Sequence, residues 1–313
     1  MSRRPPFRRV AAAGLACALL AGCATTARSN PAIGGTGAPA LTALTAVASI
    51  NAWGSILTQL GGDRVRTISI ISNPNTDPHD YEPTPADSRV IAGAKLLVVN
   101  GVGYDSWAGK VARANPDPSR QTVDVGRLMS VPDGGNPHRW YSPADVRTVA
   151  DQITADLSRA DPADAGYFEG RRQAFENTGL AEYHRLIAAI KTRYAGTAVG
   201  ASESIFTPLA QALGLDLITP ASFLAAISEG TDPSAADKAT IDSQLSRRQL
   251  AVYVFNSQNA TPDVSAQVQL AKQEGIAVSS VTETLSPAGA SFQDWQCAQL
   301  RALQAALAQA TGR

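Results

Sequence analysis

The sequence predicts an α/β protein of two lobes, each with a mostly parallel sheet flanked by helices, joined by one long linking helix. Two observations carry this expectation. Beyond residue 40, short segments rich in Val, Ile and Leu alternate with helical patterns, and the alternation runs twice. Between the two runs a helical pattern covers residues 161–195; at 1.5 Å per residue it would reach roughly 50 Å, more than a single lobe needs.

The chain opens with a segment that does not belong to the fold. Arg3, Arg4, Arg8 and Arg9 precede an apolar run over residues 10–20 that is too short to span a bilayer as a mature helix, so residues 1–22 read as a cleaved export signal. Leu20-Ala21-Gly22-Cys23 closes the run. It resembles the bacterial lipoprotein signal, in which the cysteine, here Cys23, is lipidated and becomes the first residue; an ordinary signal cut nearby is the alternative. The arginine pairs also suggest twin-arginine export, although Pro5 and Pro6 separate them. Residues 23–40 are small, polar and rich in Gly and Pro, the composition of a flexible tether. The expected product is exported and lipid-anchored on the outer face of the cytoplasmic membrane.

The full chain balances 27 basic against 27 acidic residues, and losing the four signal arginines leaves 23 against 27. Such a mildly acidic protein offers no basic surface for nucleic acid. Of the cysteines, Cys17 leaves with the signal, Cys23 would carry lipid, and Cys297 reads as a small core residue of a C-terminal helix.

In the first lobe, residues 41–160, strands are expected over 43–50 and 65–72, with a helix over 53–60 closed by Gly61 between them. Strands over 95–100 and 122–125 follow, and Ser142, Pro143 and Asp145 open a helix that runs to residue 160. Trp53 and Trp107 read as packing residues. The lobe also carries two proline-histidine pairs. Pro74, Pro78, Pro83 and Pro85 surround His79, and Asn136-Pro137-His138 stands just before the 143–160 helix. One such histidine alone would pass for an incidental residue in a stiff turn. Two of only three histidines in matching rigid settings point to a metal site, because imidazole is the commonest side-chain ligand for borderline divalent metals.

Asp161-Pro162 opens the linking pattern, with Phe168, Phe175, Leu186, Ile187 and Ile190 on its apolar stripe and Asn177-Thr178-Gly179 as a candidate kink. His184 falls on this rod as a surface or packing histidine. In the second lobe, residues 196–313, strands are expected over 197–201, 215–219, 251–255 and 277–281, with helices starting at Asp232-Pro233 and Thr261-Pro262. Glu203 and Glu283 fall just past strand ends, as His79 and His138 do in the first lobe, and in open α/β sheets the carboxyl ends of strands form the ligand crevice. Two neutral imidazoles with two carboxylates neutralise a divalent ion and suit Mn2+, Zn2+ or Fe2+. Tyr141 and Asn256 are candidates to hydrogen-bond the ligands from behind, and the stretch Asn256-Ser257-Gln258-Asn259 is a candidate to line the cleft or hydrogen-bond a ligand. A plain polar turn over 256–259 is the alternative.

Asp-Pro-His-Asp-Tyr-Glu-Pro-Thr-Pro-Ala-Asp at 77–87, followed by Lys-Leu-Leu-Val-Val-Asn-Gly-Val-Gly-Tyr-Asp at 95–105, resembles the first ligand block of the cluster A-I substrate-binding proteins of zinc and manganese ABC transporters. Asn-Pro-His-Arg-Trp-Tyr-Ser-Pro-Ala-Asp-Val at 136–146 resembles the second. The resemblance implies a metal held between two α/β lobes and delivered to a membrane permease. Carried over by motif, it implies His79 and His138 as first-lobe ligands, Glu203 as the third, and Glu283 where family members usually carry Asp. Zinc importers of the family typically place a histidine at the Glu203 position and often carry a His-rich loop; this chain has neither. Its ligand set therefore resembles the manganese-type members more closely, whereas the Irving–Williams trend favours Zn2+ in any such site.

Two other classes of function start from the same residues. Gly200-Ala201-Ser202-Glu203-Ser204 resembles a Gly-x-Ser-x-Gly nucleophile elbow except in its last position, but every histidine precedes Ser202, which excludes the α/β-hydrolase order. A metal-dependent hydrolase would need an open coordination position and a general base, for which four protein ligands leave little room. An adhesin or metal-buffer lipoprotein on the same fold would differ from a transport protein only in its partner. The expectation is a monomeric, non-enzymatic receptor for Mn2+ or Zn2+, with Fe2+ as a third candidate, that serves an ABC permease.

Overall fold

The computed structural model describes residues 43–74, 76 and 81–313; the signal, Cys23, the tether and His79 lie outside the described residues. In the first lobe β1 (Leu44–Ile50), β2 (Val65–Ile71), β3 (Leu96–Val99) and β4 (Gln121–Asp124) pair in parallel in the order β2-β1-β3-β4. The second lobe repeats the topology with β5 (Ala198–Ala201), β6 (Asp216–Leu217), β7 (Val252–Asn256) and β8 (Ala277–Val281), ordered β6-β5-β7-β8. In each lobe the strand order reverses beside the first strand, which opens a crevice at the carboxyl ends. The strand expected over 215–219 shrinks to two residues: it lies at the sheet edge, pairs only with β5, and Pro220 follows shortly after.

The helices α1 (Asn51–Gly61), α2 (Pro85–Ala92), α3 (Ser106–Ala114), α4 (Val125–Leu128) and α5 (Pro143–Ala160) accompany the first sheet. At α2, the Thr84 hydroxyl accepts the Asp87 N–H while the Asp87 carboxylate accepts the Thr84 N–H at 2.7 Å, with Pro85 in the first position. Helix α5 starts where its residues direct, Ser142 capping the Asp145 N–H ahead of Pro143. The linking segment begins as a 3-10 turn at Pro162–Asp164 and continues as α6 (Ala165–Ala174), a π turn over Phe175–Gly179, and α7 (Ala181–Tyr194). The interruption includes Asn177, Thr178 and Gly179, residues that hold a helical ladder poorly. His184 sits on α7, a third exposed and 4.0 Å from Glu176.

In the second lobe come α8 (Thr207–Leu213), α9 (Ala221–Ser228), α10 (Ala235–Ser246), α11 (Pro262–Gln273) and α12 (Phe292–Thr311). Helix α10 begins later than Asp232-Pro233 because Ser234 supplies the cap, accepting the Asp237 N–H at 3.1 Å. Helix α12 packs on α7 and also reaches α1. It buries Cys297, the free cysteine of the described residues. No helix among the described residues is long and apolar enough to cross a membrane.

One apolar core runs through both lobes. A chain of buried rings crosses it, from Trp53 to Trp140, Tyr141, Trp295, Phe292 and Tyr183, with neighbouring centroids between 5.6 and 6.4 Å apart. Such tilted and edge-on pairs add to the apolar area that they bury. Trp53 is therefore the packing residue that its sequence suggests, and Trp107 packs half-buried against the Tyr81 ring at 5.2 Å.

Candidate metal site

His138 is fixed from the first-lobe core outward. Asn100, immediately after β3, accepts the Trp53 Nε1–H at 3.0 Å and donates through Nδ2 to the Pro137 carbonyl at 2.8 Å, clamping the peptide before the histidine. The buried Asp105 carboxylate in turn accepts the backbone N–H groups of Asn100 at 2.6 Å and Gly101 at 2.8 Å. Gly101 has φ 71°, and a Cβ there would stand 2.3 Å from Asp124 Oδ1, so the turn requires glycine.

The neighbours of the imidazole set its tautomer. Asn136 donates through Nδ2 to the Ser204 carbonyl at 2.7 Å, which turns its Oδ1 toward His138. That oxygen accepts the His138 backbone N–H and lies 3.0 Å from Nδ1. Since an amide oxygen only accepts, Nδ1 carries the proton and Nε2 presents its lone pair. The Ser204 hydroxyl lies 3.3 Å from the same Nδ1.

The second lobe delivers two carboxylates to that lone pair. Glu203 follows β5 with extended backbone, and Glu283 stands two residues beyond β8. His138 Nε2 is 3.5 Å from Glu203 Oε1 and 3.3 Å from Glu283 Oε1, with exposures of 0, 0 and 3% for His138, Glu203 and Glu283. One donor atom from each lies within 4.8 Å of the others. Asn256, the last residue of β7, donates through Nδ2 to Glu203 Oε2 and to Glu283 Oε1, both at 2.9 Å. Asn259 donates to Glu203 Oε2 at 3.2 Å, and from the other lobe the Tyr104 hydroxyl donates to Glu283 Oε2 at 3.2 Å.

Of the residues expected to back the ligands, Asn256 touches both carboxylates. Tyr141 does not touch them. Its hydroxyl lies 2.8 Å from the Thr282 carbonyl and from Gln299 Oε1 and accepts the Thr282 N–H at 3.2 Å, so it braces the residue before Glu283. Ser202, the serine of the elbow-like stretch, is wholly buried, and its hydroxyl accepts the Asn256 N–H at 3.0 Å. Asn259 falls in the 256–259 stretch that the sequence offers as lining the cleft or backing a ligand, whereas Tyr104, Asn136 and Ser204 lie inside quoted stretches that give them no role of their own. Tyr104, Asn136 and Ser204 also line a cleft of about 740 Å³ between the lobes, next to the buried donors.

Burial first, and the neighbouring charge of Glu283 second, push the Glu203 carboxyl up to about 8, against the pull of His138 and the Asn256 hydrogen bond. Burial and the charge of Glu283 thus favour the protonated form of Glu203 in the metal-free site. The chemistry of the set is that of a divalent-cation site, with one neutral nitrogen and two carboxylates converging out of water.

The family model described as "ZnuA: Zinc-uptake complex component A periplasmic" matches residues 46–306. Among curated proteins the chain is similar to the manganese-binding lipoprotein MntA of Halalkalibacterium halodurans, 28% identical over 133 residues that are 41% of this chain and 44% of that protein. It is also similar to the zinc-binding lipoprotein AdcA of Streptococcus pneumoniae, 23% identical over 272 residues, 79% of this chain and 52% of that protein. The chain thus spans about half the length of these relatives. Among solved structures, a crystal structure of ZnuA aligns with a TM-score of 0.65 at 24% identity, covering 86% of this chain and 99% of that one. A Cd-bound periplasmic metal binding protein from Candidatus Liberibacter asiaticus aligns with a TM-score of 0.70 at 18% identity, covering 84% and 99%. These structural likenesses show the shared two-lobed fold.

Proposed function

This chain belongs to the periplasmic zinc-uptake complex component A (ZnuA) family, and on that premise we propose that it is an exported substrate-binding protein of an ABC metal transporter. It captures Zn2+ or Mn2+ between its lobes and hands the ion to the membrane permease. The observation that carries this reading is the convergence of His138, Glu203 and Glu283, from distant parts of the chain, on one dry spot at the carboxyl ends of strands. His79 supplies the fourth ligand, and a lipid on Cys23 holds the protein at the outer face of the membrane. Relatives named for manganese, iron and zinc binding agree with a borderline divalent ion as cargo. A binding role rather than catalysis agrees with the relatives, which are named as metal-binding proteins.

Titration of metal-stripped protein with Zn2+ and Mn2+ tests the reading directly. The Trp140 ring is wholly buried, edge-on to the His138 ring at a centroid distance of 5.4 Å. One equivalent of metal is expected to change tryptophan emission, and Trp140→Phe is expected to abolish most of the change. Emission that stays flat while an equivalent of metal binds would place the ion away from His138.

A further inference from the structure

Two amides hold one oxygen of Glu203 from behind. Oε2 accepts from Asn256 Nδ2 at 2.9 Å and from Asn259 Nδ2 at 3.2 Å, which fills both of its lone pairs. The other oxygen, Oε1, is the one that faces His138 Nε2. The amides are themselves held. Asn256 Oδ1 accepts the Gln258 N–H at 3.0 Å, so its nitrogen faces the carboxylates, and Asn259 Nδ2 also donates to the Ile227 carbonyl at 3.2 Å. Asn256 is fully buried and spends its second amide hydrogen on Glu283, which fixes the spacing of the two carboxylates.

Resting on the metal-site reading above, we propose that Asn256 and Asn259 determine metal specificity by restricting Glu203 to one coordinating oxygen, so that the site takes a four-coordinate ion of the zinc type over a six-coordinate ion of the manganese type. A six-coordinate, oxygen-rich shell needs donors beyond one atom per side chain, and the second oxygen of a carboxylate is the nearest source. Here that oxygen of Glu203 is taken. The spacing of the donors points the same way. Around a tetrahedral ion with bonds of about 2.0–2.1 Å, neighbouring donor atoms stand about 3.3–3.4 Å apart. His138 Nε2 stands 3.5 and 3.3 Å from the two carboxylate oxygens.

The test compares metal-stripped full-length protein with Asn259→Ala and with the double variant Asn256→Ala/Asn259→Ala. Zn2+ and Mn2+ affinities are measured by competition, and Co2+ serves as a spectroscopic probe, since its visible absorption is strong in four-coordinate and weak in six-coordinate sites. The expected results are a strong Co2+ band in the unmodified protein and a fall of about 10–100-fold in the Zn2+ to Mn2+ affinity ratio in the double variant. A weak band in the unmodified protein overturns the proposal, as does an unchanged ratio in a folded double variant. Should the double variant not fold, the Co2+ spectrum of the unmodified protein decides alone. If the unmodified protein binds none of these ions, the metal-site reading itself falls, an outcome distinct from binding with the wrong geometry.

Discussion

Replacing His138 with alanine is expected to weaken metal binding roughly 60- to 700-fold. Apparent binding free energies of about 10–16 kcal/mol, shared among four protein ligands, assign about 2.5–4 kcal/mol to each, and every 1.4 kcal/mol is tenfold. His138 is the described ligand candidate with the most rigid support: Asn100 clamps the peptide before it, and Asn136 holds Nδ1 so that Nε2 faces the carboxylates. Little of its contribution is lost to ordering the ring. His184→Ala is the control, because that side chain lies partly exposed on α7 beside Glu176. Competition against a chromophoric chelator measures both variants. Equal affinities for His138→Ala and the unmodified protein would remove His138 from the site.

The second large effect concerns the metal-free protein and its response to pH. Burial and the charge of Glu283 raise the Glu203 carboxyl from its ordinary 4.5 to about 8. Below about 4.5 folded and unfolded chains both hold the proton, and the contribution of this group to stability is fully present. As pH rises from there toward 8, the folded chain keeps a proton that the unfolded chain has lost, so stability falls throughout that window. At about 1.4 kcal/mol per pH unit the loss amounts to several kcal/mol. The Tm of the metal-free protein is therefore expected to decline as pH rises toward 8, and Glu203→Gln, which has nothing to titrate, to flatten that decline. Metal binding runs the other way: the ion displaces the proton, so affinity climbs with pH across the same window. A Glu203→Gln variant whose Tm tracks that of the parent across the window would show that the proton sits elsewhere.

The lobes are tied together as well as facing one another. Tyr104 reaches Glu283, the Tyr141 hydroxyl meets Thr282, and Asn51 Oδ1 accepts the Leu285 N–H at 3.3 Å, all beside a shared aromatic core. Under the proposed function, these ties restrict capture and release to small rearrangements around the site rather than wide hinge opening.

Local signals explain which parts of this arrangement could be read from the residues. The Ser142-Pro143-Asp145 start of α5 depends on three neighbouring side chains, and it fixes the position of His138. Strand β5 announces itself by a short apolar run and β8 by valines on either side of a serine pair, so Glu203 and Glu283 fall visibly just past their ends. Asn259 and Ser204 are marked less sharply, by the polar stretch 256–259 and the elbow-like stretch 200–204. Each is a polar turn residue whose role comes from a partner 56 or 66 positions away in the chain, and Tyr104 meets Glu283 across 179. Tyr141, a candidate to back the ligands, instead braces Thr282, because the 3-10 turn over Arg139–Tyr141 turns its hydroxyl that way. The late start of α10 has a similar origin, since both Asp232 and Ser234 are good caps and only the fold decides between them.

We propose that one ion sits among His138 Nε2, Glu203 Oε1 and Glu283 Oε1. Anomalous diffraction at the zinc absorption edge, from crystals of the zinc-loaded protein, tests it most directly. A single strong peak about 2.0–2.2 Å from all three atoms is the predicted result. A peak on the protein surface, or one bonded to only one of the three side chains, would contradict it.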